Sequence, residues 1–151
     1  MIRIISIVYK PEGMTLEPED HYLRTPLESA NLITGHGIEG DRKGGNPKRN
    51  LNVMSFEALE ELHQEGFKIQ PGEMGEQLVI QGLDVGELKA GDRFQVGEQA
   101  CIEVISQRTG CDRFEHIQGK PRQLAAGRMG VMAKVVADGM IAVGDPVKLL
   151  Q

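Results

Sequence analysis

Apolar and β-branched residues occur along the chain in short runs that are bounded by glycine, proline or aspartate. Such runs are typical of β-strands, because short strands need turn residues at both ends. Asp138-Gly139, between two of the apolar runs, also predicts a hairpin. The strands predicted in this way cover residues 2–9, 77–80, 93–96, 100–106, 131–137 and 140–150.

One segment has the period of a helix. Phe56, Leu59 and Leu62 recur every third residue, Ser55 can cap the first turn and Gly66 follows the last, so the pattern predicts a helix over 55–64. A second, short helix is predicted to begin near residue 121. Residues 14–50 are polar and glycine-rich, which predicts long loops around short strands. We expect one domain over residues 1–151, mainly β, as a closed β-barrel-like fold with one or two peripheral helices.

The charge and the cysteine content of the chain exclude some kinds of binding partner and indicate a cellular compartment. The chain has 17 Lys and Arg against 22 Asp and Glu, and its net charge of −5 argues against a general nucleic-acid or anionic-membrane surface. The apolar runs are far shorter than the ~20 residues of a membrane span. Two cysteines are too few for a disulfide scaffold and fit a reducing compartment. We therefore expect a cytoplasmic protein that binds neither nucleic acid nor membrane.

Several common functional motifs are absent, and one occurs without the neighbouring helix that it requires. Residues 35–40 match the dinucleotide-binding pattern G-x-G-x-x-G, yet the glycine-rich segment after them cannot form the helix that this pattern requires. The four histidines show no metal-ligand spacing, and the Walker A, G-x-S-x-G and C-x-x-C motifs do not occur.

The loop over residues 35–50 combines glycines with Arg42, Lys43 and Arg49. Glycine-rich backbone exposes N–H groups, and together with fixed positive charge these bind anions such as phosphate. A solvated basic loop explains the same composition, and the residues alone do not separate the two interpretations.

Cys111 follows the predicted strand 100–106 and is flanked by Arg108 and Arg113. Nearby cations stabilise a thiolate, the form that attacks sulfur or binds a soft metal. Asp112 acts in the opposite direction, and free cysteines also serve as buried apolar filler. We interpret Cys111 as functional and Cys101, which lies within an apolar strand, as filler.

The chain resembles the MOSC domain family, named for the C-terminal part of molybdenum cofactor sulfurase and also found as small stand-alone proteins. The resemblance rests on several short segments in the right order. Residues 37–42 (GIEGDR), 71–78 (PGEMGEQL), 91–92 (GD), 108–111 (RTGC), 128–131 (RMGV) and 143–147 (VGDPV) are similar to the family's G-x-x-G-D-R, P-G-x-x-G-E-N-L, G-D, R-x-P-C, R-G-G-V and V-G-D-P-V.

This resemblance implies a β-barrel-like fold in which Cys111 is the reactive cysteine. The family is associated with sulfur carried as a cysteine persulfide, or with a cysteine that ligates the molybdenum of the molybdenum cofactor (molybdopterin). The implied partners are a pyridoxal-phosphate-dependent desulfurase or a reductase. The residues assigned to cofactor binding are Arg42, Lys43, Arg49, Glu76, Arg108 and Arg128.

Three functions stay open: a sulfur carrier, a molybdenum-cofactor-dependent oxidoreductase that reduces N-hydroxylated compounds, and a non-catalytic module that binds a phosphorylated small molecule. Gly110 stands where the family has proline, and we expect it to loosen the backbone at Cys111, which makes a mobile persulfide arm at least as plausible as tight metal ligation. We also expect the loop 35–50 and Cys111 to share one pocket with Arg108, and Glu76 to orient a pocket arginine or accept hydrogen bonds from nearby backbone.

Overall fold

The computed structural model describes residues 1–13, 18 and 21–151. Within these residues the protein is mainly β, with two sheets and two α-helices. The strands are β1 (Arg3–Tyr9), β2 (Thr25–Leu27), β3 (Ser29–Ile33), β4 (Gly37–Ile38), β5 (Leu51–Ser55), β6 (Leu78–Gln81), β7 (Arg93–Val96), β8 (Ala100–Gln107), β9 (Val131–Ala137), β10 (Gly139–Ala142) and β11 (Val147–Leu150). The helices are α1 (Phe56–Gln64) and α2 (Asp112–Gln118), with short 3₁₀ turns at Val85–Glu87 and Arg122–Ala125.

The larger sheet is mixed. Its strand order is β11-β7-β8-β9-β5-β6-β1-β2, and all neighbours are antiparallel except β5 and β6. Parallel neighbours need a crossover connection, and α1 lies in the connection between β5 and β6. The smaller sheet has the order β10-β3-β4.

The predicted closed barrel is not confirmed. Among the described strands, β11 and β2 form the open edges of the larger sheet. The backbone near one edge does approach β1: the amide of Ile4 donates to the carbonyl of Asp145 at 3.0 Å, and the amide of Val147 donates to the carbonyl of Ile2 at 2.9 Å. This contact is an isolated bridge between Arg3 and Pro146 and not a strand ladder.

The predicted hairpin at Asp138-Gly139 is wrong, because β10 pairs with β3 while β9 pairs with β5 and β8. The predicted strand 140–150 is two strands. Asp145 forms a turn between them, since its carboxylate accepts a hydrogen bond from the amide of Ala142 at 2.8 Å. Gly139 permits the change of sheet, because a Cβ there would lie 2.6 Å from the amide nitrogen of Ala100.

The helix predicted over 55–64 is confirmed as α1, while the short helix near residue 121 is a 3₁₀ turn. Ser55 does not cap α1 with its side chain. Its hydroxyl instead donates to the carbonyl of Leu83 and accepts from the amide of Val85, both at 2.8 Å. The sequence patterns did not predict β5 or α2.

Two apolar clusters hold the elements together. One is formed largely by residues of the two sheets. The other packs α1 and α2 against the larger sheet through buried residues such as Met54, Leu62 and Met74. Within it, the rings of Phe67 and Phe114 stack with their centroids 6.2 Å apart, which fixes α2 directly after Cys111. In the described part of the chain, no helix is long and apolar enough to cross a membrane.

Candidate functional site

A cavity of about 440 Å³ lies where the loop 35–50, β5 and the end of β8 meet. Four cationic residues line it, Arg24, Lys43, Arg49 and Arg108, together with Cys111. No aspartate or glutamate is among the described lining residues, so the charged side chains that line the described part of the cavity are all cationic. The loop and the cysteine therefore share one pocket with Arg108, as the sequence predicted.

Cys111 is exposed and lies between the end of β8 and the start of α2. The backbone is held on both sides of it. The amide of Arg108 donates to the carbonyl of Gly130, and the amide of Glu115 donates to the carbonyl of Cys111, both at 3.0 Å. These bonds fix the position from which the thiol opens into the cavity.

Gly110 lies close to neighbouring side chains. A Cβ at position 110 would lie 2.8 Å from a ring carbon of Phe114 and 2.9 Å from Cβ of Arg122, so close packing explains the glycine. Its carbonyl also accepts a hydrogen bond from the guanidinium of Arg122 at 3.2 Å. These contacts restrain Gly110, whereas Thr109 and Cys111 on either side of it are exposed, so the mobile arm at Cys111 stays a prediction.

Arg108 lies at the inner wall of the cavity. Its guanidinium donates to the carbonyl of Met74 at 2.5 Å and to that of Met129 at 3.5 Å. Burial lowers the pKa of Arg108, and the nearby carboxylate of Glu76 opposes this shift. A Cβ on Gly75 would lie 2.6 Å from Nη2 of Arg108, so a side chain there would displace the guanidinium, and the φ of +77° at this position also favours glycine.

Glu76 is 1% exposed and lies behind the cavity wall without lining the cavity. Its carboxylate accepts hydrogen bonds from the amides of Gly72 at 2.7 Å and Met74 at 3.1 Å. Burial raises the pKa of Glu76, and its hydrogen bonds and the charge of Arg108 counter this only in part. Glu76 therefore shapes the turn whose Met74 carbonyl holds Arg108.

Asp41 and Gln77 form a buried polar network that the sequence analysis did not identify. The carboxylate of Asp41 accepts from the amide of Lys43 at 3.0 Å and from the side chain of Gln77 at 3.0 Å. Gln77 in turn accepts from the amide of Asn52 at 2.6 Å. The network ties the loop that carries Lys43 to β5. Asp41 lies within the G-x-x-G-D-R segment, which was the one sequence feature that pointed to it.

Tyr22 is a second residue that the sequence analysis missed. It lines the cavity together with Cys111, and its ring centroid lies 5.1 Å from the guanidinium carbon of Arg113. Burial raises the pKa of Tyr22, and Cys111 raises it further, against the opposing charges of Arg108 and Arg113. Tyr22 lies outside every predicted strand and helix, so no pattern singled it out.

The structure places the other predicted residues elsewhere. Arg128 pairs with Glu65, lies 3.6 Å from Glu61 and lines a different cavity beside α1. Arg42 follows Asp41 but is not among the residues that line the Cys111 cavity. Asp112 is fully exposed and pairs with Arg122.

The donor chemistry of the cavity indicates the kind of group that it fits. In the described residues, no cluster of three or more His, Cys, Asp or Glu side chains could hold a bare metal ion. One thiol among cations suits a metal that arrives with most of its ligands on an anionic organic carrier. The molybdenum cofactor, a phosphate-bearing pterin, has this chemistry, so the residues present fit it.

The fold is similar to that of solved structures at low sequence identity. YiiM from Geobacillus stearothermophilus superposes with a TM-score of 0.76 at 20% identity, over 100% of this chain and 76% of that one. The YUAD protein from Bacillus subtilis gives 0.76 at 19%, over 99% and 96% of the two chains. YiiM from Escherichia coli gives 0.71 at 24%, over 99% and 70%.

A search of curated protein sequences gives no match. The family model of the MOSC domain matches residues 40–148, a span that contains Lys43, Arg49, Arg108 and Cys111. The chain therefore belongs to the MOSC domain family.

Proposed function

We propose that this protein binds the molybdenum cofactor in the Cys111 cavity, with the Cys111 sulfur as a ligand to the metal. One observation carries the proposal: an exposed thiol opens into a cavity that four cations and no described carboxylate line. A thiolate binds soft metals, and a cationic wall favours a phosphate-bearing ligand.

The cations have different parts in this proposal. Lys43 and Arg49 are exposed at the rim, where they can contact the cofactor phosphate directly. Arg108 is held by the carbonyls of Met74 and Met129. It therefore supplies fixed positive charge at the inner wall, which costs no reorganisation when the anion binds.

The packing at Gly110 favours a metal ligand over a mobile persulfide arm. A persulfide carrier delivers its sulfur to a separate acceptor, whereas a ligand needs a fixed direction. Contacts with Phe114 and Arg122 enclose Gly110, and the next residue is Cys111. The cofactor, when bound, supplies two-electron redox chemistry. Reduction of N-hydroxylated compounds is the reaction class that this supports, with electrons from a separate reductase.

The proposal also includes one domain over residues 1–151 and a cytoplasmic location. The two unpaired cysteines support the location, because reducing compartments keep thiols free.

The decisive measurement is the molybdenum and pterin content of the protein purified from a host that makes the cofactor. We expect stoichiometric molybdenum in the wild type and in the matched control Cys101→Ser, which alters the half-buried cysteine on β8. Cys111→Ser should retain about tenfold less molybdenum, the effect of losing about 1.4 kcal/mol of binding free energy. Exchange of Lys43 and Arg49 for Gln should lower both molybdenum and pterin, because it removes two phosphate-facing charges.

Wild-type protein without molybdenum or pterin would refute the proposal. Cyanide-labile sulfur on Cys111 in that protein would then identify the sulfur carrier. In that reaction the Cys111 thiolate attacks the outer sulfur of a desulfurase persulfide, the S–S bond of the donor breaks, and the donor leaves as a thiolate. Absence of both metal and labile sulfur would leave the module that binds a phosphorylated small molecule.

A further inference from the structure

We propose that Asn52 recognises the ring of the ligand that binds in the Cys111 cavity: its Oδ1 accepts a hydrogen bond from a ring N–H or amino group. The ligand class is a nitrogen heterocycle that carries a phosphate, such as a pterin. The inference rests on the proposed function and deepens it, because it names the residue that distinguishes the pterin of the cofactor from a simple anion.

The charged residues that line the cavity supply only hydrogen-bond donors. Arginine and lysine side chains have no acceptor, and the charged lining residues in the described chain are Arg24, Lys43, Arg49 and Arg108. Such a lining matches the oxygens of a phosphate. A ligand that also carries N–H or amino groups needs an acceptor from the uncharged residues of the cavity.

Four residues with amide side chains line the cavity: Asn46, Asn50, Asn52 and Gln77. The side-chain oxygens of three of them accept hydrogen bonds from backbone amides, at 2.9 Å for Asn46, 3.1 Å for Asn50 and 2.6 Å for Gln77. The Oδ1 of Asn52 has no donor among the described residues, and it is not enclosed in the protein interior. Polar atoms at such positions normally have a partner, so this oxygen is available to a ligand.

The side chain of Asn52 is held in one orientation. Its Nδ2 donates to the carbonyl of Gly75 at 3.1 Å, and its backbone amide donates to Gln77. The side chain of Gln77 is fixed in turn, because it donates to the buried carboxylate of Asp41 at 3.0 Å. The direction of Oδ1 is therefore set before a ligand arrives, and a preorganised acceptor loses little side-chain entropy on binding.

Asn52 lies on the face of the larger sheet that forms the floor of the cavity. It is directly opposite Met132 in the pairing of β5 with β9, and both residues line the cavity. Side chains directly opposite each other on antiparallel strands share one face of the sheet. Nη1 of Arg49 lies 2.8 Å from the sulfur of Met132. The floor therefore offers a thioether surface and an amide acceptor for a flat ring, next to a cation that can bind its phosphate.

The test compares the binding of neopterin monophosphate and of inorganic phosphate to cofactor-free protein by isothermal titration calorimetry. Asn52→Leu has a similar size and no acceptor. We expect it to weaken binding of neopterin monophosphate about fivefold, the ratio that one net hydrogen bond gives, and to leave binding of phosphate unchanged. The ratio of the two affinities is the readout, because a general distortion of the cavity would weaken both ligands alike.

Asn52→Asp restores an acceptor at the same position. Its negative charge repels both phosphate-bearing probes, so we expect both affinities to fall by the same factor while their ratio returns to the wild-type value. Asn46→Ala is the matched control, because the oxygen of Asn46 already accepts from the backbone; it should leave the ratio unchanged. Melting temperatures within a few degrees of the wild type establish that the variants are folded.

Guanosine monophosphate distinguishes two sources of this chemistry, because guanine carries the same amino and ring N–H groups as a pterin. Tighter binding of neopterin monophosphate identifies a pterin as the ligand, and tighter binding of guanosine monophosphate identifies a nucleotide. Either result supports the role of Asn52 when Asn52→Leu weakens the tighter of the two relative to phosphate.

The inference is overturned if neither ring-bearing probe binds the wild type more tightly than phosphate does, or if Asn52→Leu leaves the affinity ratio unchanged. A ratio as low in Asn52→Asp as in Asn52→Leu also overturns it. These outcomes are separate from the fate of the proposed function, because the assay uses no molybdenum. Wild-type protein that binds molybdenum together with an unchanged ratio refutes only the role of Asn52. A lowered ratio in a protein that binds no molybdenum refutes only the metal proposal.

Discussion

Replacement of Glu76 by Gln tests whether a buried carboxylate shapes the wall of the cavity. Glu76 is 1% exposed and accepts hydrogen bonds from two amides, those of Gly72 at 2.7 Å and Met74 at 3.1 Å. Glutamine has the same shape but only one acceptor oxygen, so one amide loses its partner and faces an N–H₂ group instead. A buried donor left without an acceptor costs about 1–3 kcal/mol.

We expect Glu76→Gln to lower the free energy of unfolding by about 2 kcal/mol, which corresponds to roughly 4–8 °C in melting temperature for a chain of this size. Urea unfolding followed by circular dichroism measures the change. Glu73→Gln is the matched control, because Glu73 lies in the same turn and accepts a single exposed hydrogen bond from the amide of Gln70. The control should change stability by less than about 0.5 kcal/mol.

The pH dependence of this penalty has a defined sign. Burial raises the pKa of Glu76 above its usual value of 4.5, so the folded state binds the proton more tightly than the unfolded state. The contribution of Glu76 to wild-type stability is therefore greatest at low pH. It falls as the pH rises from the pKa of Glu76 in the unfolded state to its pKa in the folded state. The Gln variant lacks this titration, so its penalty should shrink with rising pH. A penalty below about 0.5 kcal/mol, or one that grows with pH, would refute the reasoning.

Two further substitutions test the segments on either side of the site. Gly110→Ala should destabilise the protein by about 1–3 kcal/mol, because the new methyl group would meet Phe114 and Arg122 at under 3 Å; calorimetry measures this, and an unchanged melting temperature would contradict the packing argument. Arg128→Gln should change stability by less than about 1 kcal/mol, since its partners Glu61 and Glu65 are 64% and 48% exposed. It should leave molybdenum content unchanged, and a loss of metal would return Arg128 to the cofactor site.

The strands that the sequence predicted well are those with apolar runs bounded by turn residues. β1, β6, β7, β8 and β9 lie close to the predicted ranges because alternation and flanking glycines mark them. β5 follows directly on the loop and is interrupted by Asn52, so it had no clear pattern. α2 is short, with three buried residues and no side-chain cap. It depends on the tertiary contact of Phe114 with Phe67, which local sequence does not reveal.

The part of the site that could be predicted from the sequence consists of residues whose charge or reactivity stands out in their local sequence. Lys43, Arg49, Arg108 and Cys111 were found from charge and position, and the structure brings them together. Tyr22 was not predictable, because its ring lies against Arg113, which is far from it in sequence.

The segment 128–131 matches a motif of the family, but its residues have other roles in the structure than the resemblance suggested. Met129 and Gly130 supply carbonyls to Arg108, while Arg128 pairs with glutamates on or next to α1. A Cβ on Gly130 would lie 1.9 Å from the carbonyl oxygen of Val53. Close packing between β9 and β5 therefore explains this glycine, whereas resemblance alone suggested a cofactor contact by the arginine.

The hydrogen bonds between β1 and residues 144–147 have a kinetic consequence. They join positions at opposite ends of the described chain, as between Ile4 and Asp145. Closing so long a loop costs conformational entropy before the packing contacts that offset this cost have formed. Folds rich in such long-range contacts therefore acquire their native structure in milliseconds to seconds instead of microseconds. The pairing of these two segments is therefore slower to form than the local turns and helices of the fold.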